Sequence, residues 1–213
     1  MPPRPRIPQK ALERLCEGNL RFVRGQSFHG TVSKKALARL RENQRPFAII
    51  LGCSDSRVPP ELVFDQGFGD LFVIRVAGNI IAPGVGGSIQ YAYQHLGTSL
   101  LVVLGHEGCG AVKAALAAKF HRANHPERIQ QLVELINPGL GGINPTLSAA
   151  EQLKAGVEVN VRWSVHQVIR TPEVQRAREK GNVLIVGAVY ELTTGKVRWL
   201  DHYPDRTSGV AVP

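Results

Sequence analysis

Phe47-Ala48-Ile49-Ile50-Leu51-Gly52-Cys53-Ser54-Asp55-Ser56-Arg57 runs from an unbroken apolar stretch directly into a thiol, a carboxylate and a guanidinium. A second stretch repeats the arrangement. Leu100-Leu101-Val102-Val103-Leu104-Gly105 leads into His106-Glu107-Gly108-Cys109-Gly110, with an imidazole and another thiol. Short continuous apolar runs of this kind read as strands covered on both faces, as in a parallel sheet. Reactive side chains at the ends of two such strands place the chemistry at one edge of that sheet.

Working outward, residues 71–76 and 182–190 are further apolar runs. Helical patterns occupy 83–96, 111–120, 126–136, 146–170 and 172–179, with the Gly/Pro-rich 137–145 as a break. Strands alternating with helices predict an α/β fold, a mostly parallel central β-sheet flanked by helices. Residues 197–200, reached through the Thr194-Gly195 turn, are expected as an antiparallel edge strand. Upstream, 8–25 and 33–42 carry apolar residues at helical spacing, with Ser33 as a candidate N-cap and Gly25 and Pro46 as stops. No sheet face is evident for them. Residues 1–45 are therefore expected to form an N-terminal helical arm on a partner subunit, within a single domain spanning 1–213.

The 213 residues are enough for one well-buried core. No apolar run approaches the roughly 18 residues of a membrane span. Met1-Pro-Pro-Arg-Pro-Arg has basic residues but no apolar stretch behind them, so no export signal is visible. A cytoplasmic location is expected for the chain as given; Met1 is its only methionine, so a removed N-terminal export signal is compatible with it. Three cysteines, an odd number, argue against a disulfide framework, and Cys16 reads as a small apolar filler. The formal charge is +9, but the basic residues are dispersed and accompany no nucleic-acid module. Nucleic acid and membrane are not expected partners.

Zinc prefers thiolate and imidazole in a tetrahedral site, and a catalytic site keeps one position open. His106-x-x-Cys109 places two such donors in one turn, and Cys53 offers a third. Ligands of open α/β sheets gather beyond the carboxyl ends of the strands, where both stretches lie. Cys16 and the other histidines offer no ligand-like spacing for a fourth donor, which leaves a position for water. Asp55 suits a hydrogen bond from zinc-bound water or coordination of the metal itself, and Arg57 would orient it by a two-point pair. A strand-end salt bridge is the plainer reading of that pair alone. Cys53 as a covalent nucleophile is the competing reading, although its spacing to Arg57 is too short for a cysteine-phosphatase loop. The glycines at 84–87 form neither a dinucleotide fingerprint nor a Walker loop.

Cys53-x-Asp55-x-Arg57 followed by His106-x-x-Cys109 resembles the β-class carbonic anhydrases. The likeness extends from about residue 8 to residue 200. It is densest across 47–112, where Cys-Ser-Asp-Ser-Arg-Val-Pro, Leu-Phe-Val-Ile-Arg-Val-Ala-Gly-Asn and Gly-His-Glu-Gly-Cys-Gly-Ala stand in family order. The resemblance implies Zn²⁺ held by Cys53, His106 and Cys109, with water or hydroxide as the fourth ligand. It implies reversible hydration of carbon dioxide to bicarbonate and a proton, by zinc-bound hydroxide assisted by the catalytic dyad Asp55 and Arg57. Asp55 would be the fourth ligand in a closed state. Gln44, Phe72, Ala77, Tyr91 and Gly110 match substrate-pocket positions, and a homodimer or an assembly of dimers such as a tetramer is implied. Ile50 is a departure: members regulated by bicarbonate carry tryptophan there, with partners that Arg75 and Tyr190 would match. The resemblance is therefore to the plant-like type without bicarbonate regulation, open at neutral pH. His29, His95 and solvent buffer all stand as acceptors for the released proton. The same residues also admit a related zinc hydrolase acting on another linear cumulene such as carbon disulfide, or a catalytically silent zinc-binding protein.

Overall fold

The computed structural model describes residues 7–28 and 34–200, with the backbone alone at Lys35, Ala36 and Arg39. The expected cap Ser33 and the histidines His29 and His202 lie outside the described residues. Five strands form one sheet: β1 (Ala48–Gly52), β2 (Leu71–Arg75), β3 (Leu100–His106), β4 (Leu184–Tyr190) and β5 (Val197–Trp199). Their order is β2-β1-β3-β4-β5. Every pair is parallel except β4 with β5, the expected antiparallel edge. From β1 the chain goes to β2 on one side and then crosses to β3 on the other. The strand order thus reverses between β1 and β3, which opens a crevice at their carboxyl ends.

Alternate residues of the apolar runs serve the two faces. Ala48, Ile50, Val102 and Leu104 point to a face shared with α1 (Pro8–Val23) and α3 (Pro60–Val63). Between these two helices in the chain lies α2 (Lys34–Glu42). Ile49, Leu51, Leu101 and Val103 point to the larger core, built with α4 (Pro83–Leu96), α5 (Gly110–His121), α6 (Glu127–Ile136), α7 (Ala149–Ile169) and α8 (Pro172–Glu179). Double-sided burial explains why β1 and β3 carry no polar alternation. Among the described residues no helix is long and apolar enough to cross a membrane.

The first helix, α1, packs on the body of its own chain. Ala11, Leu12 and Leu15 of α1 are buried in the same core as Phe47 and Ile50, so this helix covers its own sheet. Asn19, also buried, donates to the carbonyls of Val63 and Gly195 and accepts from the Val197 N–H, tying α1 to α3 and to the β4–β5 hairpin. Leu37 of α2 is half exposed.

α7 begins at Ala149, three residues later than the helical pattern from 146, because Ser148 and Glu151 form a capping box. The Glu151 N–H donates to Ser148 Oγ, and the Ser148 N–H donates back to Glu151 Oε2. The helix then crosses β3 and β4 closely. Gly105 permits that approach, since a Cβ there would stand 2.5 Å from Val161 Cγ2. A short 3-10 turn, Ala77–Asn79, follows β2. No turn or helix is expected there from the sequence.

Candidate metal centre

Cys53 follows β1, His106 ends β3, and Cys109 immediately precedes α5. Parallel pairing of β1 with β3, Gly52 opposite Leu104, brings their carboxyl ends level. The donor atoms of Cys53, His106 and Cys109 all lie within 4.8 Å of one another, and all three residues are buried. The two sulfurs are 4.0 Å apart. His106 Nδ1 lies 2.9 Å from the Glu107 carbonyl, so its hydrogen is used there and Nε2 carries the free lone pair. Nε2 is buried without a hydrogen-bond partner among the described residues. A buried orphan nitrogen is costly unless something ligates it. Two sulfurs and that nitrogen are a donor set that fits zinc with one position left over.

The two thiols compete for one proton. The Cys109 thiol donating to Cys53, offset in part by burial, and the Gly78 N–H push Cys53 below the ordinary thiol range. Cys109, hydrogen-bonded to Cys53 and buried, is pushed up in turn. A divalent cation removes the competition by stabilising both thiolates at once.

Asp55 and Arg57 stand at the mouth of the cluster. Arg57 Nε donates to Asp55 Oδ1 at 2.9 Å and its terminal nitrogen donates to Oδ2 at 2.8 Å. The Arg57 backbone N–H adds a third bond to Oδ1 at 3.0 Å. These bonds hold the Asp55 carboxyl well below the usual carboxylate range. Asp55 Oδ2 lies 3.8 Å from His106 Nε2, so the carboxylate faces the point where a metal would sit. Arg75, at the end of β2, donates from Nε to the Cys53 carbonyl at 2.9 Å and from its terminal nitrogen to the Asp55 carbonyl. The loop between Cys53 and Arg57 is thereby held from below.

The expected pocket residues fall into three places. Phe72 on β2 and Tyr91 on α4 come together, ring centroids 6.3 Å apart, and Tyr91 meets His95 in a tilted contact at 5.1 Å. Ala77 opens the 3-10 turn and Gly110 opens α5, beside the cluster in sequence. Gln44 is exposed in the loop before β1. It lies on the amino side of that strand, whose length of about 17 Å separates it from Cys53 at the carboxyl end.

Sequence reasoning missed the residues that support the cluster from behind. Gly78 donates its N–H to Cys53 Sγ at 3.3 Å. Asn160 Nδ2 donates to the Gly78 carbonyl at 2.8 Å, and Ser164 Oγ donates to the Asn79 carbonyl at 2.9 Å. The available signal was two polar residues one turn apart, Asn160 and Ser164, in a helix with Val157, Val161 and Val165.

A family model described as carbonic anhydrase matches residues 48–197. A carbonic anhydrase of Mycolicibacterium smegmatis is 40% identical over 200 residues, which is 93% of this chain and 96% of that protein. Among solved structures, the β-carbonic anhydrase CafA of the fungal pathogen Aspergillus fumigatus superposes with a TM-score of 0.72 at 25% identity, covering 91% of this chain and 90% of that one. A tetrameric β-carbonic anhydrase from the filamentous ascomycete Sordaria macrospora shares the fold, with a TM-score of 0.70 at 22% identity, over 77% of this chain and 85% of that one.

Proposed function

The chain belongs to the β-class carbonic anhydrases, enzymes that hydrate carbon dioxide, and we propose that Cys53, His106 and Cys109 hold its catalytic zinc while Asp55 and Arg57 direct the attack. The observation that carries this reading is the convergence of three buried donor atoms within 4.8 Å, with Asp55 Oδ2 at 3.8 Å from His106 Nε2. Zinc, when bound, lowers the pKa of a coordinated water to about 7 and so supplies hydroxide for attack on carbon dioxide at neutral pH.

The remaining steps belong to the protein. Asp55, ionised because Arg57 grips both its oxygens, accepts a hydrogen bond at Oδ2 from the attacking oxygen and turns that oxygen's lone pair toward the substrate carbon. Arg57 also keeps the carboxylate from swinging onto the metal. Phe72, Ala77, Tyr91 and Gly110 provide a small, largely apolar approach, suited to a substrate with little to hydrogen-bond. Gln44 stands too far along β1 to serve its own chain's site, and in this reading it acts across a subunit interface.

That interface is part of the proposal: the chain works as a homodimer or an assembly of dimers. The exposed Phe28 and Phe68, 82% and 72% accessible, flank the end of β2 nearest Leu71, and among the described residues one edge of β2 is unpaired. The tetrameric assembly of the Sordaria macrospora protein agrees with it. We also place the chain in the type without bicarbonate regulation. Ile50 is fully buried core, and Arg75 is engaged by the Cys53 and Asp55 carbonyls. Metal analysis combined with activity tests the reading: about one zinc per chain, with hydration lost on chelation and restored by zinc. Undiminished hydration by metal-free protein would overturn it.

A further inference from the structure

Asn160 and Ser164 lie one turn apart on α7, 1% and 0% exposed, in the core that contains Val157, Val161 and Val165. Stability alone does not account for an asparagine at such a place. Its Nδ2 has one bond, to the Gly78 carbonyl, and its Oδ1 is buried with no partner among the described residues. Burying an amide half-satisfied costs free energy that an apolar side chain of the same size would not. The residue must therefore serve the segment it touches.

That segment is the turn Ala77–Asn79. Gly78 has φ 71° and Asn79 has φ 43°, two consecutive residues in the left-handed region. Such a conformation at a non-glycine residue persists only where the surroundings impose it. Here two bonds from α7 do so: Asn160 to the Gly78 carbonyl and Ser164 to the Asn79 carbonyl. A side chain at Gly78 is also excluded, since its Cβ would meet Ile136 at 2.8 Å and Ala111 at 3.1 Å. The outcome of this conformation is a single N–H pointing at a sulfur, Gly78 N to Cys53 Sγ at 3.3 Å.

We infer that Asn160, seconded by Ser164, is a positioning residue that locks the Ala77–Asn79 turn so that the Gly78 N–H stays on the Cys53 sulfur and tempers that sulfur as a metal ligand. The inference rests on reading Cys53 as a zinc ligand. A hydrogen bond to a thiolate draws electron density from it, and groups that orient ligands in this way govern metal affinity. Asn160 touches neither substrate nor metal; it acts through Gly78.

The test uses the full chain loaded with cobalt(II), whose thiolate-to-metal charge-transfer band reports the sulfur directly. Asn160→Leu should move the band to lower energy and release metal to a competing chelator about 10-fold more readily. Ser164→Ala should shift both readouts in the same direction by less. A merely structural asparagine would lower the denaturant midpoint of the metal-free variant and leave the cobalt band and the metal affinity at the parent's values. Folded variants with the parent's band and metal affinity would overturn the inference. Should Asn160→Leu fail to fold, Ser164→Ala decides, and an unchanged band there overturns it. A parent chain that takes up no cobalt would overturn the zinc reading itself, and this inference with it.

Discussion

Asp55 Oδ2 lies 3.8 Å from His106 Nε2, although the two residues belong to different strand ends. Parallel pairing of β1 with β3 makes that meeting, and the Arg57 fork fixes its direction. In the proposed mechanism, replacing Asp55 with alanine should leave zinc on Cys53, His106 and Cys109 while removing the acceptor proposed to aim the attack. Turnover should fall by about 100-fold or more, in the range expected for a positioned proton-handling group. Zinc content and steady-state hydration on the same sample check this, and near-parental turnover would take Asp55 out of the mechanism.

Arg57 bears on pH dependence. Asp55 has a depressed pKa, through its hydrogen bonds to Arg57 above all, so the pair's stabilising contribution is complete above the ordinary carboxylate value of 3.8 and is lost only as pH falls through the lowered one. Asp55 is therefore ionised throughout pH 6–9, and an activity limb in that range belongs to another group. Arg57→Gln should retain zinc, reduce turnover at least about 10-fold and leave the limb between pH 6 and 9 in place. A limb that disappears in this variant would contradict the assignment.

Loss of a proposed ligand should act first on the metal. Cys53→Ala and His106→Ala should each retain well under one zinc per chain after dialysis. Added zinc should raise the unfolding temperature of the parent, because binding to the native state alone is stabilising, and should not raise it in the variants. An equal shift in all three proteins would place the zinc elsewhere.

The closeness of α7 to the sheet yields a prediction on stability. Gly105→Val would drive its side chain against Val161, whose Cγ2 already stands 2.5 Å from where a Cβ would be. Overpacking of this kind costs about 1–3 kcal/mol, readable as a lower midpoint in urea. An unchanged midpoint would mean that α7 shifts away at little cost.

The elements at the centre of the molecule were legible because their information is local. β1 and β3 are unbroken apolar runs, and Cys53, His106 and Cys109 each sit at or just beyond such a run, so one topological rule brings them together. The Asp55–Arg57 pair spans two residues and was legible for the same reason. What escaped notice depends on contacts between distant parts of the chain. Asn160 reaches a carbonyl 82 positions away, and the Gly78 N–H reaches a sulfur 25 positions away. Nothing in the local pattern around Ala77–Asn79 announces a turn that strains an asparagine. The packing of α1 on its own sheet was not legible for a related reason. Its stripe Ala11, Leu12 and Leu15 was visible, but the sheet face it covers is assembled from β1, β3 and β4.

Stopped-flow hydration of carbon dioxide by zinc-replete protein, run from pH 6 to pH 9, bears most directly on the central claim. Hydration well above the buffer rate should appear at neutral pH and persist upward across that range. A fully zinc-loaded protein that gives no acceleration at any pH in that range would contradict it.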